Sequence, residues 1–246
     1  MLINPDQIET IEARNEQSLK TLIRSIAFSS NQFALIVVRC NYRQLRDRLT
    51  QQLQQQSDVP ISILHLPETA KTLYTTIQAA VVQRERDSEE TAESDEQMLA
   101  PTQCLMLFGL ESLVDIDEVL TATNLVRNEL RKQFSFPIVL WVNDQVLQKL
   151  KSLALDLYSW AGMAEIGFEM PTDELARSLQ VHANRLFSSV LDLGDESFLS
   201  NWQLNPPNNL LRQSELKYAI DDLRASNFPI QPDLQASLDF LLGQDA

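Results

Sequence analysis

The sequence predicts an α/β protein: a three-layer α/β/α domain on a mainly parallel five-stranded sheet, followed by a small C-terminal helical appendage. Three observations carry this prediction. Short apolar runs alternate, five times over, with segments whose apolar residues recur at helical spacing. The runs are near-continuously apolar, as strands covered on both faces must be. Strands separated by helices imply parallel pairing through right-handed crossovers.

The elements follow in order. Residues 5–28 carry Ile8, Ile11, Leu19, Leu22, Ile23 and Ile26 at mostly helical spacing, and Pro5 suits a first helical turn. Residues 33–39 form the first strand. A helix over 42–56 places Leu45, Leu49 and Leu53 four apart. The second strand is "ISILHL", 61–66, and a helix over 69–85 carries Leu73, Ile77 and Val81. "RERDSEETAESDE", 84–96, holds seven acids, two arginines and no apolar residue except Ala92, so it predicts a disordered or solvated insertion extending to about 99. The third strand is 103–110. A long helix over 115–133 turns Val119, Leu120, Ala122, Leu125, Val126 and Leu130 inward. The fourth strand is 136–143, short helices cover 144–152 and 153–161, and the fifth strand is 164–170. A helix then runs from Thr172 to about Leu191. Gly194 and the Pro206-Pro207 pair mark 192–209 as a connection, and two helices near 210–227 and 232–242 complete the chain. The domain therefore spans 1–191, and 192–246 is an appendage or linker.

The formal net charge of −14 disfavours nucleic acid and anionic membranes as partners, because both need a basic face. No stretch has the length of a transmembrane helix, and the first residues lack a signal-peptide pattern. Cys40 and Cys104 fall in or beside buried strands, which reads as two reduced core thiols in a cytoplasmic protein. A disulfide between them would require neighbouring strands.

The turn after the first strand is where a phosphate-binding loop would lie. Such a loop needs glycines to aim backbone amides at the anion, a lysine for the β/γ-phosphates and a Ser/Thr for magnesium. This turn reads "RCNYRQLRD". None of the five glycines falls between Phe33 and Leu49, and no Gly-Lys-Ser/Thr occurs in the chain. Asn41 reads as the N-cap of a helix beginning at Tyr42. The alternative is a weak anion site at the helix N-terminus assisted by Arg39, Arg43 and Arg46. Glu111 lies just past strand three, where a nucleotide hydrolase would place an acid near magnesium and water. Asn143 lies at the tip of strand four, where a polar residue would sense a γ-phosphate. As simple structure, Glu111, Asn143 and Asp144 cap strand ends and helix starts. His65 and His182, the only histidines, lack partners at metal-ligand spacing. Neither a nucleophile elbow nor a dinucleotide fingerprint is present. Cys40 sits where nucleophiles occur in open sheets, although structural thiols are commoner there. Trp141 reads as core, whereas Trp160 and Trp202 pack either sheet edges, the appendage or a partner.

Together "QFALIVVRCNYRQLRDRL", "LMLFGLESL", "IDEVLTATNLVRNELRKQFSFPIVLWVNDQVLQKL", "ALDLYSWAG" and "IGFEM" resemble, in order over 30–190, the P-loop NTPase-like domain of STAND-class signalling proteins. In cyanobacterial multidomain proteins such a domain typically precedes tetratricopeptide repeats, and "LQASLDFLLGQDA" looks like the segment leading into them. The departure is the absent phosphate loop at 39–44. The resemblance then implies a non-catalytic, nucleotide-hydrolase-derived module for protein interaction or regulation. It would need no cofactor, and its partners would be downstream repeats or other proteins. A divergent NTPase is the alternative, with MgATP held by Arg39, Asn41, Arg43, Glu111 and Asn143. A self-assembling scaffold is a third reading.

Overall fold

A computed structural model describes residues 5–91, 103–162, 166–193, 213–226 and 228. The helices are α1 (Pro5–Phe28), α2 (Arg43–Gln56), α3 (Leu73–Thr91), α4 (Ile116–Leu125), α5 (Arg127–Gln133), α6 (Asp144–Leu153), α7 (Leu155–Tyr158), α8 (Thr172–Leu193) and α9 (Gln213–Ala225). The strands are β1 (Ala34–Cys40), β2 (Ile61–His65), β3 (Cys104–Phe108), β4 (Pro137–Val142) and β5 (Ile166–Phe168). All pair in parallel in the order β2-β3-β4-β1-β5. The predicted α/β class and parallel five-stranded sheet are thus present. Two compact units divide the chain: Asn15–Cys40 with Arg48–Phe168, which holds the sheet, and Met1–Arg14 with Asn41–Asp47 and Glu169–Ala246.

The strand order fixes the layers of the sheet unit. From β1 the chain crosses toward the β2 edge, whereas every later crossover runs the other way. Right-handed crossovers of opposite direction put their helices on opposite faces. One face of the sheet, formed by Leu35, Val37, Leu105, Leu107, Ile138, Leu140 and Val142, packs against α3–α7 through Leu73, Ile77, Leu120, Leu130, Val146 and Leu150. Ile36, Val38, Met106, Val139, Trp141, Ile166 and Phe168 alternate with that set and are also buried. Strands buried on both faces account for the near-continuous apolar runs.

That second face carries a row of rings. His65 stacks on Phe108 with centroids 5.3 Å apart, Phe108 on Trp141 at 5.9 Å, and Trp141 on Phe168 at 5.9 Å. Trp141 is fully buried, and its indole N–H has no acceptor among the described residues. The edge strand β2 is only half buried apart from exposed His65.

Helix boundaries differ from the sequence expectation at both ends of α3, within 115–133 and at the start of α2. α3 begins at Leu73 rather than 69, because the Thr72 hydroxyl accepts from the Thr75 N–H at 3.0 Å, as an N-cap does. Buried Thr123 on α4 also accepts from the Leu73 N–H at 3.0 Å. α3 then continues to Thr91, so the first part of the acidic segment is helical rather than disordered; its Arg and Glu residues are good helix formers. Residues 92–99 of that segment lie outside the described residues, as do 194–212 and the helix expected near 232–242. The expected 115–133 helix is interrupted at Val126 (φ −97°, ψ 12°), where the Arg127 guanidinium donates to the Asn124 carbonyl at 2.7 Å. The break changes the helical phase: Val119, Leu120 and Leu130 are buried as expected, but Leu125 is exposed rather than inward and Val126 is only partly buried. Asn124 itself is used elsewhere: its side-chain oxygen accepts from the Leu157 N–H at 2.9 Å and so caps α7.

Gly109, between β3 and a short 3-10 turn at Leu110–Ser112, adopts φ +92°, which L side chains rarely tolerate. An added Cβ would also lie 3.3 Å from the Leu66 carbonyl oxygen, a backbone atom with little room to yield. Gly109→Ala is therefore expected to destabilise the sheet unit by roughly 1–3 kcal/mol, read as a fall in the urea midpoint.

Candidate functional site

In an open parallel sheet, ligands bind where adjacent strands send their connections in opposite directions. Here that point lies between β1, which leads toward β2, and β4, which leads toward β5. Arg39, on β1, pairs with Val142 on one side and Gly167 on the other. Its guanidinium lies across Gly167, close enough that a Cβ there would meet it at 3.2 Å. It reaches the Asp144 carboxylate, in the first turn of α6, at 3.3 Å. Both side chains are partly exposed, 26% and 38%, so the pair contributes at most about 1 kcal/mol. Its chemical effect is larger: a carboxylate of the chain already stands beside the one cation that β1 presents at this crevice.

Asn143 is the N-cap of α6. Its side-chain oxygen accepts from the Val146 N–H at 2.8 Å, so that oxygen is committed to the helix. Glu111 is exposed and lies in the 3-10 turn after β3. Arg39, Glu111 and Asn143 lie at or just past the C-terminal ends of β1, β3 and β4.

The turn after β1 belongs to the other compact unit. Asn41 is buried, but the N-cap position falls one residue later than expected. The Tyr42 carbonyl accepts the first intrahelical bond, from the Arg46 N–H at 3.0 Å. A helix beginning this way leaves its first amides without intrahelical partners. The first of them, Arg43 N–H, donates to Glu215 Oε1 at 2.7 Å. Glu215 lies in the first turn of α9 and is only 6% exposed. Tyr42, 1% exposed, donates its hydroxyl to the Asp222 carboxylate, two turns further along α9. Sequence reasoning identified the amide and the arginines but not Glu215, which is 172 residues away.

The arrangement is a helix start whose first amide is capped by a carboxylate from elsewhere in the chain. A helix N-terminus concentrates partial positive charge, and a carboxylate satisfies it as a phosphate oxygen would. The turn holds no glycine, the residue that lets a phosphate loop aim several successive backbone amides at one anion.

Neither cysteine is in a disulfide, and both are buried. Cys40 ends β1 and Cys104 begins β3, and β4 lies between those strands, so the condition for a disulfide is not met. Burial pushes the Cys104 thiol up from 9.0 to about 12. The unfolded chain releases this proton near the ordinary value, while the folded chain keeps it to about 12. The folded state then binds more protons, so stability falls as pH rises through this window, by about tenfold in the folding constant per pH unit. Cys104→Ala is expected to lack this increment, which urea midpoints at pH 8, 9.5 and 10.5 will show.

Among the described residues no group of three or more His, Cys, Asp or Glu is placed to hold a metal ion. His65 is exposed and stacked on Phe108, and the His182 side chain lies outside the described residues. Trp160 packs edge-on against Phe33, with centroids 5.8 Å apart, and Trp202 lies outside the described residues. No described helix is long and apolar enough to cross a membrane. No family model matches the chain, and no curated protein matches it.

Proposed function

We propose that this chain is a non-catalytic, nucleotide-hydrolase-derived module that acts in the cytoplasm through protein contacts. The observation that carries the reading is the Glu215 carboxylate on the Arg43 N–H, in the place where a phosphate oxygen would otherwise sit. Asp144 beside Arg39 supports it at the sheet crevice, and so does the commitment of Asn143 to the α6 cap. A nucleotide would have to displace buried charge from a chain of net charge −14, without a glycine loop or lysine to compensate. The resemblance to STAND-class domains supplies the partners of this reading: downstream tetratricopeptide repeats or another copy of the chain. Phe28, Val114, Leu125 and Leu155, all exposed on the sheet unit, offer apolar contact to such partners.

A thermal-shift titration with MgATP, MgGTP and their diphosphates tests the reading. A ligand of the folded state at a hundredfold excess over its Kd adds about 2.7 kcal/mol, which the melting temperature would register. The expected response is flat. A saturable rise, lost in Arg39→Ala or Glu111→Ala, would instead establish the divergent NTPase.

A further inference from the structure

We propose that the outer edge of β2 pairs with the same edge of a second copy of this chain, antiparallel and centred on Ile63, so that two five-stranded sheets join into one. β2 ends the sheet, and among the described residues no strand lies beyond it. Its register with β3 runs without a bulge, from Ile61 opposite Cys104 to His65 opposite Phe108. In that ladder the Leu66 N–H donates to the Phe108 carbonyl at 2.8 Å. A residue in a strand sends its N–H and C=O to one side, and successive residues alternate sides. Ser62, Leu64 and Leu66 therefore turn their backbone groups toward β3, whereas Ile61, Ile63 and His65 turn theirs outward. Each copy presents three N–H and three C=O groups along this edge, and such a row is matched by another strand, not by a helix.

The edge is complementary to itself. A twofold axis at Ile63 sets Ile63 opposite its own copy and Ile61 opposite His65. Opposed residues of this kind exchange both of their N–H···O=C bonds, so six bonds satisfy every outward group of both copies. The side chains agree with this register, because β-branched Ile63 meets itself at the axis. The strand also lacks the charges, internal prolines and bulges that keep edge strands apart. From Val59 to Pro67 no acidic or basic side chain occurs except His65, and Pro60 and Pro67 stand outside the five paired residues. Ile61, Ser62, Ile63 and Leu64 are only half-buried. Arg84 of α3 reaches the strand at the Ser62 hydroxyl, on the sheet face opposite the Ile63 side chain. In a chain of net charge −14, copies repel, and an uncharged edge is where they approach at least cost. The pairing rests on the reading above only in taking a second copy of the chain as the partner.

Sedimentation equilibrium of the full chain tests the pairing. One short strand per copy lies below the roughly 1,200 Å² of stable complexes, so a reversible dimer that grows in between about 5 and 500 µM is expected. Ile63→Lys sets two cations face to face at the axis, and Ile63→Glu sets two carboxylates there. Each variant alone is expected to be monomeric, and an equimolar mixture of the two to dimerise. That rescue requires residue 63 to face residue 63, and it shows that both variants fold. His65→Pro removes an outward N–H and no bond to β3, so it is expected to weaken the wild-type dimer about tenfold or more. A wild-type monomer at every concentration overturns the proposal. So does a dimer that persists in both Ile63 variants, or a mixture of them that stays monomeric. A wild-type monomer with a flat nucleotide titration leaves the functional reading standing with its other partners. A dimer rescued by opposite charges, together with a saturable nucleotide shift, removes that reading and keeps the pairing.

Discussion

Glu215→Ala is expected to destabilise the unit that contains α9 by about 1.5–3 kcal/mol, the usual worth of a hydrogen bond to a charged group. The substitution leaves the Arg43 N–H without its acceptor and removes a negative charge from the N-terminus of α2. Glu215→Gln retains an acceptor oxygen of the same reach without the charge, so its cost is expected to be about 0.5–1.5 kcal/mol. The order Ala, then Gln, then wild type in increasing stability is the signature of an acting carboxylate. Chemical denaturation followed by far-UV circular dichroism measures it. Equal losses for the two variants would mean that side-chain packing, not charge, seats α9.

Trp141→Ala should have the largest effect on the sheet unit, about 3–5 kcal/mol. The ring fills the middle of the row between Phe108 and Phe168 and is fully buried on the central strand β4. Its removal leaves a cavity between two aromatic neighbours that rigid strands cannot close. Trp141→Phe should cost much less. It keeps an aromatic ring in the row and removes an indole N–H that has no acceptor among the described residues, a group whose burial is itself unfavourable. Urea midpoints of the two variants provide the test. A phenylalanine variant as unstable as the alanine variant would show that indole volume dominates, with no relief from losing the N–H.

The sheet was legible because its signal is local. Apolar runs such as 33–39 and 136–143 lie within a residue or two of β1 and β4, since strands buried on both faces carry few polar residues to blur them. Asn143 was also legible as a cap, an Asn at the junction of an apolar run and a helix. The start of α3 had a readable signal in Thr72, outweighed in the sequence by the apolar spacing around it. The interruption at Val126 had none: no glycine or proline marks it, and the Asn124 contacts that accompany it, to Arg127 and to the Leu157 N–H, are visible only in the fold. The N-cap reading of Asn41 was one residue early, because Tyr42 gives no capping signal by type. What determines the chemistry of the turn was the least visible. Glu215 is an ordinary first-turn acid of a predicted helix, and only the tertiary fold brings it to Arg43.

The contrast between Arg39 and Arg43 shows why residue type alone did not decide the site. Both were candidates for phosphate as cations. In the fold, Arg39 meets Asp144 through its side chain, whereas Arg43 meets Glu215 through its backbone amide. A sequence shows charges on side chains but not the partial charges of a helix end.

The most direct test of a helix start capped by the chain's own carboxylate follows the Arg43 amide by two-dimensional NMR, in wild type and Glu215→Gln, with and without MgATP. A carboxylate-bound amide predicts a downfield proton in the wild type that moves upfield in Glu215→Gln and is unmoved by saturating MgATP. A wild-type Arg43 amide that shifts saturably with MgATP would contradict it, and would show that the turn holds a phosphate after all.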